Sequence, residues 1–380
     1  MPERLFYTAS ATFESARRIP GAGQVALRTL HGHSFAARLR VAAPAIAAFP
    51  GGQVDALRAR LQACVAPLDY ADLNACLDDP TDEKLARWVR ARLELPGIDV
   101  AGVRSTPAQG VDLDAGAGAH LWRRYQFESA HRLPHVAPGH KCGRMHGHGF
   151  AVIVHAQAHP GAQRACLDAG LDARLDITAL DRLWAPLHAQ LHQACLNDIE
   201  GLDNPTSEHI ARWIWQRLRP QLQALRWVTV YETATCGAHF DGANYRIWKE
   251  LGFDSAMRLQ RAPAGDGRRR IHGHSYRLRL HLAAPLDQVL GWTIDFGDVK
   301  ECFAPVLARL DHHPLHELPG VGRGGDRGGD DGEDGAAAIV RWVRGQTAAS
   351  LPALERIDLD ETPGCGVVLC WGPALPALPV

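Results

Sequence analysis

The chain has 380 residues, 46% of them hydrophobic and 22% charged, which is more than one compact domain usually needs, so two or three domains are expected. A formal net charge of −1 leaves no global basic field to hold nucleic acid, and no apolar run approaches the roughly 20 residues of a membrane-spanning helix. Met1-Pro2-Glu3-Arg4 lacks the basic-then-apolar start of a secretory signal. The nine cysteines form no CxxC pair, so a reduced, cytoplasmic protein is expected.

From the N-terminus, a strand-like segment ends in Phe13-Glu14-Ser15-Ala16-Arg17. It is followed by His31-Gly32-His33 and an alternating run from Phe35 to Val41. The same pairing recurs as Phe127-Glu128-Ser129-Ala130-His131 with His146-Gly147-His148 and Phe150 to Gln157. It recurs again as Phe253-Asp254-Ser255-Ala256-Met257 with His272-Gly273-His274 and Tyr276 to Leu282. Three recurrences of both features at similar spacing define a tandem repeat. Within the second copy, Arg123 to His131 and His148 to Gln157 alternate as strands do, and Ile177 to Leu191 has helical apolar spacing through Leu180, Leu183, Trp184, Leu187 and Leu191. Pro205-Thr206-Ser207-Glu208 opens a second helix running to about Arg219, because Thr caps well and Glu suits a first turn. Trp227 to Glu232 and Tyr245 to Trp248 read as closing strands.

Each copy is therefore an α+β unit, an antiparallel four-stranded sheet with two helices, and the expected division is 1–115, 116–248 and 249–380. Asp112 to Ala119 is a small-residue linker between the first two units. Asn244 to Phe253 runs straight into the third, and the low-complexity run Val321 to Gly335 is expected to form a mobile loop.

Two histidines one residue apart on a strand point to the same face. His146 and His148 therefore project together, and His131, ending the preceding strand, can meet them across the hairpin. Three neutral imidazoles with open positions beside them are the ligand set of a catalytic zinc ion, which would act as a Lewis acid. At the place of His131 the first unit has Arg17, which repels a cation, and the third has Met257, a poor zinc ligand. One Zn2+ per chain is expected, in the second unit.

The second unit resembles the 6-pyruvoyl/6-carboxytetrahydropterin synthase family, and within it the bacterial queuosine-pathway branch. The residues that carry the likeness are Phe127 to Phe150 (FESAHRLPHVAPGHKCGRMHGHGF), Asn204 to Pro220 (NPTSEHIARWIWQRLRP) and Glu232-Thr233. The likeness implies a tunnelling fold (T-fold), in which three units close a twelve-stranded antiparallel barrel and two barrels stack. One chain would form a pseudo-trimeric barrel and two chains a homodimer. The implied reaction converts 7,8-dihydroneopterin triphosphate to 6-carboxytetrahydropterin, acetaldehyde and triphosphate.

By the same resemblance, Cys142 is the cysteine that moves a proton, its thiolate favoured by Lys141, Arg144 and the ion. A Glu anchors the pterin, as Glu232-Thr233 or Glu361, with Thr206 also at the substrate. The family's Leu-Asp-His element reads Leu191-His192-Gln193 in the second unit and Leu68-Asp69-Tyr70 in the first. Only the third keeps it, as Leu310-Asp311-His312, so Asp311 and His312 are expected to complete the site of the second unit across the unit boundary. His192 is the alternative. Arg132, Lys141 and Arg144, and more weakly Arg268 to Arg270, are candidates for the triphosphate. Two other readings stay open: formation of 6-pyruvoyltetrahydropterin or another pterin-pathway product, and a non-catalytic pterin-binding scaffold.

Overall fold

The computed structural model describes residues 2–20, 22, 24–157, 176–321 and 334–372, so all but the ends of the Val321 to Gly335 run lies outside the described residues. Twelve long strands follow the repeat. The first unit supplies β1 (Arg4–Arg17), β2 (His31–Ala42), β3 (Ile98–Thr106) and β4 (Gln109–Leu113). The second supplies β5 (Ala119–His131), β6 (His146–Gln157), β7 (Leu225–Thr233) and β8 (Cys236–Phe240). The third supplies β9 (Tyr245–Met257), β10 (His272–Leu282), β11 (Leu354–Thr362) and β12 (Cys365–Cys370). Each pairs antiparallel with the next in sequence, and β12 returns to β1, with Arg4 opposite Cys370. The sheet is a closed barrel, which leaves no long strand with an open edge along its whole length.

Among the described residues six helices cover one face of this sheet: α1 (Gln53–Val65), α2 (Asp82–Leu93), α3 (Ile177–Leu191), α4 (Ser207–Leu218), α5 (Phe296–Leu310) and α6 (Ala336–Thr347). Thr81 and Thr206 cap α2 and α4 by accepting from Lys84 N and His209 N, each such cap being worth about 1 kcal/mol. The buried stripe Leu180, Trp184, Leu187 and Leu191 of α3 packs with Ile210, Trp213 and Ile214 of α4 against β5 to β7.

The three units repeat the same internal contacts. Phe13–Phe35, Phe127–Phe150 and Phe253–Tyr276 are stacked pairs with ring centroids 5.0, 4.9 and 4.8 Å apart, each adding about 0.5–1.5 kcal/mol beyond its buried area. Ser15, Ser129 and Ser255 each donate to the last-turn carbonyl region of the neighbouring helix segment, at Leu68, Leu191 and Leu310. These bonds tie the helix ends to the strand that leads into the His-Gly-His region.

One boundary differs from expectation. Tyr245 to Trp248 does not close the second unit but begins β9, a single strand through Met257 that pairs with β10. The closing strand is β8, joined to β9 by the turn Asp241 to Asn244. That short run of five residues is uniformly apolar or neutral and lacks an alternating pattern that would mark it.

Candidate metal centre and its cleft

β5 and β6 pair with His131 opposite His146 and Ser129 opposite His148, so the hairpin register brings the three imidazoles together. One nitrogen from each of His131, His146 and His148 lies within 4.8 Å of the others. His131 Nδ1 is 2.9 Å from Pro205 O and His146 Nδ1 is 2.7 Å from Arg144 O. Each Nδ1 therefore carries the proton and donates to a carbonyl, which leaves the Nε2 lone pair for a ligand. The Nε2 atoms of His131 and His148 are buried with no hydrogen-bond partner. Burial lowers the pKa of both rings, with Glu232 opposing it. Neutral rings with orphaned, converging lone pairs fit a divalent metal ion.

Glu232, at the end of β7, places Oε1 3.5 Å from His148 Nε2, while its Oε2 accepts from Ser207 Oγ at 2.6 Å. Cys142 sits in a short 3-10 turn, Lys141–Gly143, which is tied down by Leu133 N donating to Cys142 O at 2.8 Å. The half-buried thiol is pushed up in pKa by burial first and Glu232 second, with Lys141 opposing. The expected pull of Lys141 toward the thiolate is thus outweighed by desolvation and by the neighbouring carboxylate.

The third unit walls this cleft. Thr206 Oγ1 donates to Gly291 O at 2.6 Å, Asn204 Nδ2 donates to Leu290 O at 2.7 Å, and Glu208 Oε1 accepts from Thr293 N and Oγ1. Thr206 spends its hydroxyl on these two roles, helix cap and inter-unit strut. Glu208 is fully buried, and burial raises its pKa to about 7. His140 Nδ1 accepts from Cys142 N at 3.2 Å, which puts the ring proton on Nε2, 3.8 Å from Asp295 Oδ2 of the third unit. Sequence reading missed His140 and Asp295. The signal was the histidine two residues before Cys142, but its partner lies more than 150 positions away.

Asp311 and His312 form a pair with Oδ1 and Nδ1 3.0 Å apart, and both are open to solvent, His312 at 77%. Asp311 accepts from Asp254 N, and His312 N donates to Asp254 O. β8 starts at Cys236 opposite Lys249, so among the described residues β9 beyond Glu250 has no long strand on the side of the second unit. The pair docks along that segment. Nothing among the described residues links it directly to Cys142. His192 and Gln193 hold the equivalent place in the second unit, with His192 Nδ1 accepting from Glu128 N at 3.2 Å. Thr233 Oγ1 lies 3.0 Å from Cys236 Sγ.

The other two clefts show substitutions that compensate one another. In the first, Arg17 is 2% exposed, donates to Asp82 Oδ1 at 2.7 Å and Pro80 O at 2.9 Å, and lies over Phe35. Asp82, the first residue of α2, also accepts from Ser105 Oγ at 2.8 Å. Relative to Ser207 and Glu232, acid and hydroxyl have exchanged places between helix and strand, and a guanidinium stands where the second unit has the His131 imidazole. In the third, Met257 Sδ accepts from Tyr276 Oη at 2.7 Å. Glu361 lies among the residues of this cleft, where burial first and Asp55 second raise its pKa to about 7. The residue at the place of Cys142 is Arg268, which pairs with Asp266 and, from the first unit, Asp55.

A closed antiparallel barrel of repeated α+β units with a histidine triad at one strand end defines a T-fold protein of the pterin-synthase class. The family description "6-pyruvoyl tetrahydropterin synthase" matches residues 120–243 and again 246–370, and the chain belongs to that family. Its members are pterin synthase lyases. The 6-carboxy-5,6,7,8-tetrahydropterin synthase of a Synechocystis species is 35% identical over 122 residues, 32% of this chain and 91% of that protein. The solved 6-pyruvoyl tetrahydropterin synthase of Caenorhabditis elegans is 21% identical with a TM-score of 0.25, covering 30% of this chain and 89% of its own. That of Plasmodium falciparum is 19% identical with a TM-score of 0.26, covering 33% and 97%. No helix among the described residues is long and apolar enough to cross a membrane.

Proposed function

We propose that the chain is a zinc-dependent 6-carboxytetrahydropterin synthase with one active site, in the cleft of the second unit. The reading rests on one observation above others: three imidazoles converge beside a carboxylate fixed by Ser207, with Cys142 on the adjoining turn. His131, His146 and His148 would hold Zn2+, whose Lewis acidity would acidify a substrate hydroxyl. Glu232 would accept from the amino group and ring N–H of the pterin, its second oxygen already oriented by Ser207, with Thr233 beside it. Cys142 would move a proton at the substrate side chain, and Arg132, Lys141 and Arg144 would meet the triphosphate. The 35% identity to a 6-carboxytetrahydropterin synthase supports this product over 6-pyruvoyltetrahydropterin. The cytoplasm is the proposed compartment and a homodimer of barrels the proposed assembly.

Asp311 and His312 are proposed as the second acid–base pair, supported by their mutual contact and by their docking on the β9 segment that faces the second unit. A specific observation favours another pair, His140 and Asp295, which also spans the two units and already contacts the Cys142 backbone. Incubation with 7,8-dihydroneopterin triphosphate followed by mass identification of the product tests the reaction. Release of 6-carboxytetrahydropterin and acetaldehyde is expected, and an unchanged substrate sinks the assignment.

A further inference from the structure

The barrel face opposite the helices lines a partly open cavity of about 130 Å3, with walls from β1, β2, β3, β5 and β9 to β12. Strands so far apart around the sheet can meet only inside it, so this space is the lumen on the side of the first and third units. The side of the second unit is filled instead by Trp122, Tyr231 and Trp248, packed with Ala151 and Ile153.

Six guanidinium groups line the open part: Arg38, Arg40, Arg104, Arg277, Arg279 and Arg356. The lining carboxylates are Glu250, Asp358 and Asp360, and Asp112 and Asp99 pair with Arg38 and Arg40, so six guanidiniums meet five carboxylates. Positive charge is in excess, and burial weakens the negative side further by raising Asp360 to about 6. Like charges are also set side by side. Arg356 adds to burial in lowering the pKa of Arg40, and Arg38 does the same to Arg104.

Hydrogen-bond accounting points the same way. The Trp122 indole N–H and the Arg279 Nε–H are buried without an acceptor among the described residues. Further round the lumen the same holds for Trp248 Nε1 and Arg124 Nε. These groups can only donate. The Arg277 side chain has Asp360 as its charge partner without a close ion pair among the described residues, whereas Arg279 binds Glu250 at 2.6 Å through Nη2. Orphaned buried donors are uncommon in folded proteins, and a set of them around an arginine-lined space is what a bound oxyanion would satisfy.

We propose that this part of the lumen is a binding chamber for a small multivalent oxyanion of the phosphate class, held by Arg104, Arg277, Arg279 and the Trp122 indole. The chamber does not depend on the pterin-synthase reading, since it lies on the opposite face of the sheet from the helices. Orthophosphate and tripolyphosphate are the two probes, titrated by calorimetry and tryptophan fluorescence into the full chain. Saturable binding at one lumen site is expected. Arg277→Gln should weaken it about 10-fold or more, the range for a lost hydrogen bond to a charged group. Trp122→Phe, which keeps the aromatic packing, should weaken it and remove the fluorescence change. The double variant Arg132→Gln/Lys141→Gln, which strips basic charge from the metal cleft, should leave it intact. Binding of tripolyphosphate but not orthophosphate, kept in the cleft variant and lost in Trp122→Phe, identifies the longer anion as the lumen's occupant. The proposal is overturned if neither anion saturates a site. It is equally overturned if binding survives Trp122→Phe and Arg277→Gln but vanishes in the cleft variant.

Discussion

Arg17→Met puts into the first unit the residue type that stands at the same place in the third. It asks whether a guanidinium does there the structural work of an ion. Arg17 is 2% exposed and Asp82 10%, so removing the cation strands a carboxylate in a dry site. Losing one partner of a buried pair costs about 3–5 kcal/mol. Asp82 keeps the Ser105 hydroxyl bond and the favourable field at the start of α2, the latter worth about 0.3–1 kcal/mol. The expected loss is therefore about 3 kcal/mol. Arg17→Met/Asp82→Asn should recover most of it, for a coupling of about 2 kcal/mol. Urea denaturation of the four proteins in chelator, so that no ion in the second unit contributes, measures the cycle. A single-variant loss below about 1 kcal/mol, typical of an exposed pair, or additive single variants, would refute the argument.

Metal analysis should give one ion per chain, His131→Ala should reduce it to none, and Arg17→Met should leave it at one because the remaining pair His31 and His33 lacks a third imidazole. Cys142→Ala should abolish turnover of dihydroneopterin triphosphate while metal content stays unchanged. His312→Ala and His140→Ala separate the two cross-unit pairs: the variant of the working pair should lose about 10²–10⁴-fold in rate, and near-normal turnover in either excludes that histidine. Glu208 has a folded pKa raised above its ordinary value to about 7. It therefore favours the folded state most at low pH, and its contribution is lost as pH rises from about 4.5 through 7. Glu208→Gln should gain stability relative to the parent across that window, by about 1–3 kcal/mol at pH 8. A pH-independent difference in denaturation midpoint would contradict the assignment of that shift.

What could be read from the chain was whatever repeats or alternates. The His-Gly-His triplets, the aromatic partner two positions on, and the register that joins His131 to His146 all follow from a strand period of two. The swap of Asp82–Ser105 for Ser207–Glu232 was not legible, because each partner is innocuous alone and the pairing spans more than 20 residues. Nor was the role of Leu290 to Asp295, an ordinary loop in sequence that becomes the wall of another unit's cleft. The arginines at alternate positions 38 and 40, or 277 and 279, announce a shared face. Only closure of the barrel reveals that this face looks inward, since the same alternation serves an exposed sheet equally well.

Joining the three units in one polypeptide has a consequence for how the clefts can differ. In a ring of identical subunits, any substitution appears three times at once, so exchanging a metal-binding imidazole for a guanidinium would erase every centre together. Covalent linkage lets Arg17, His131 and Met257 coexist at equivalent stations of one ring. Each station can then be tuned alone, and loss of chemistry at two of them need not cost the third.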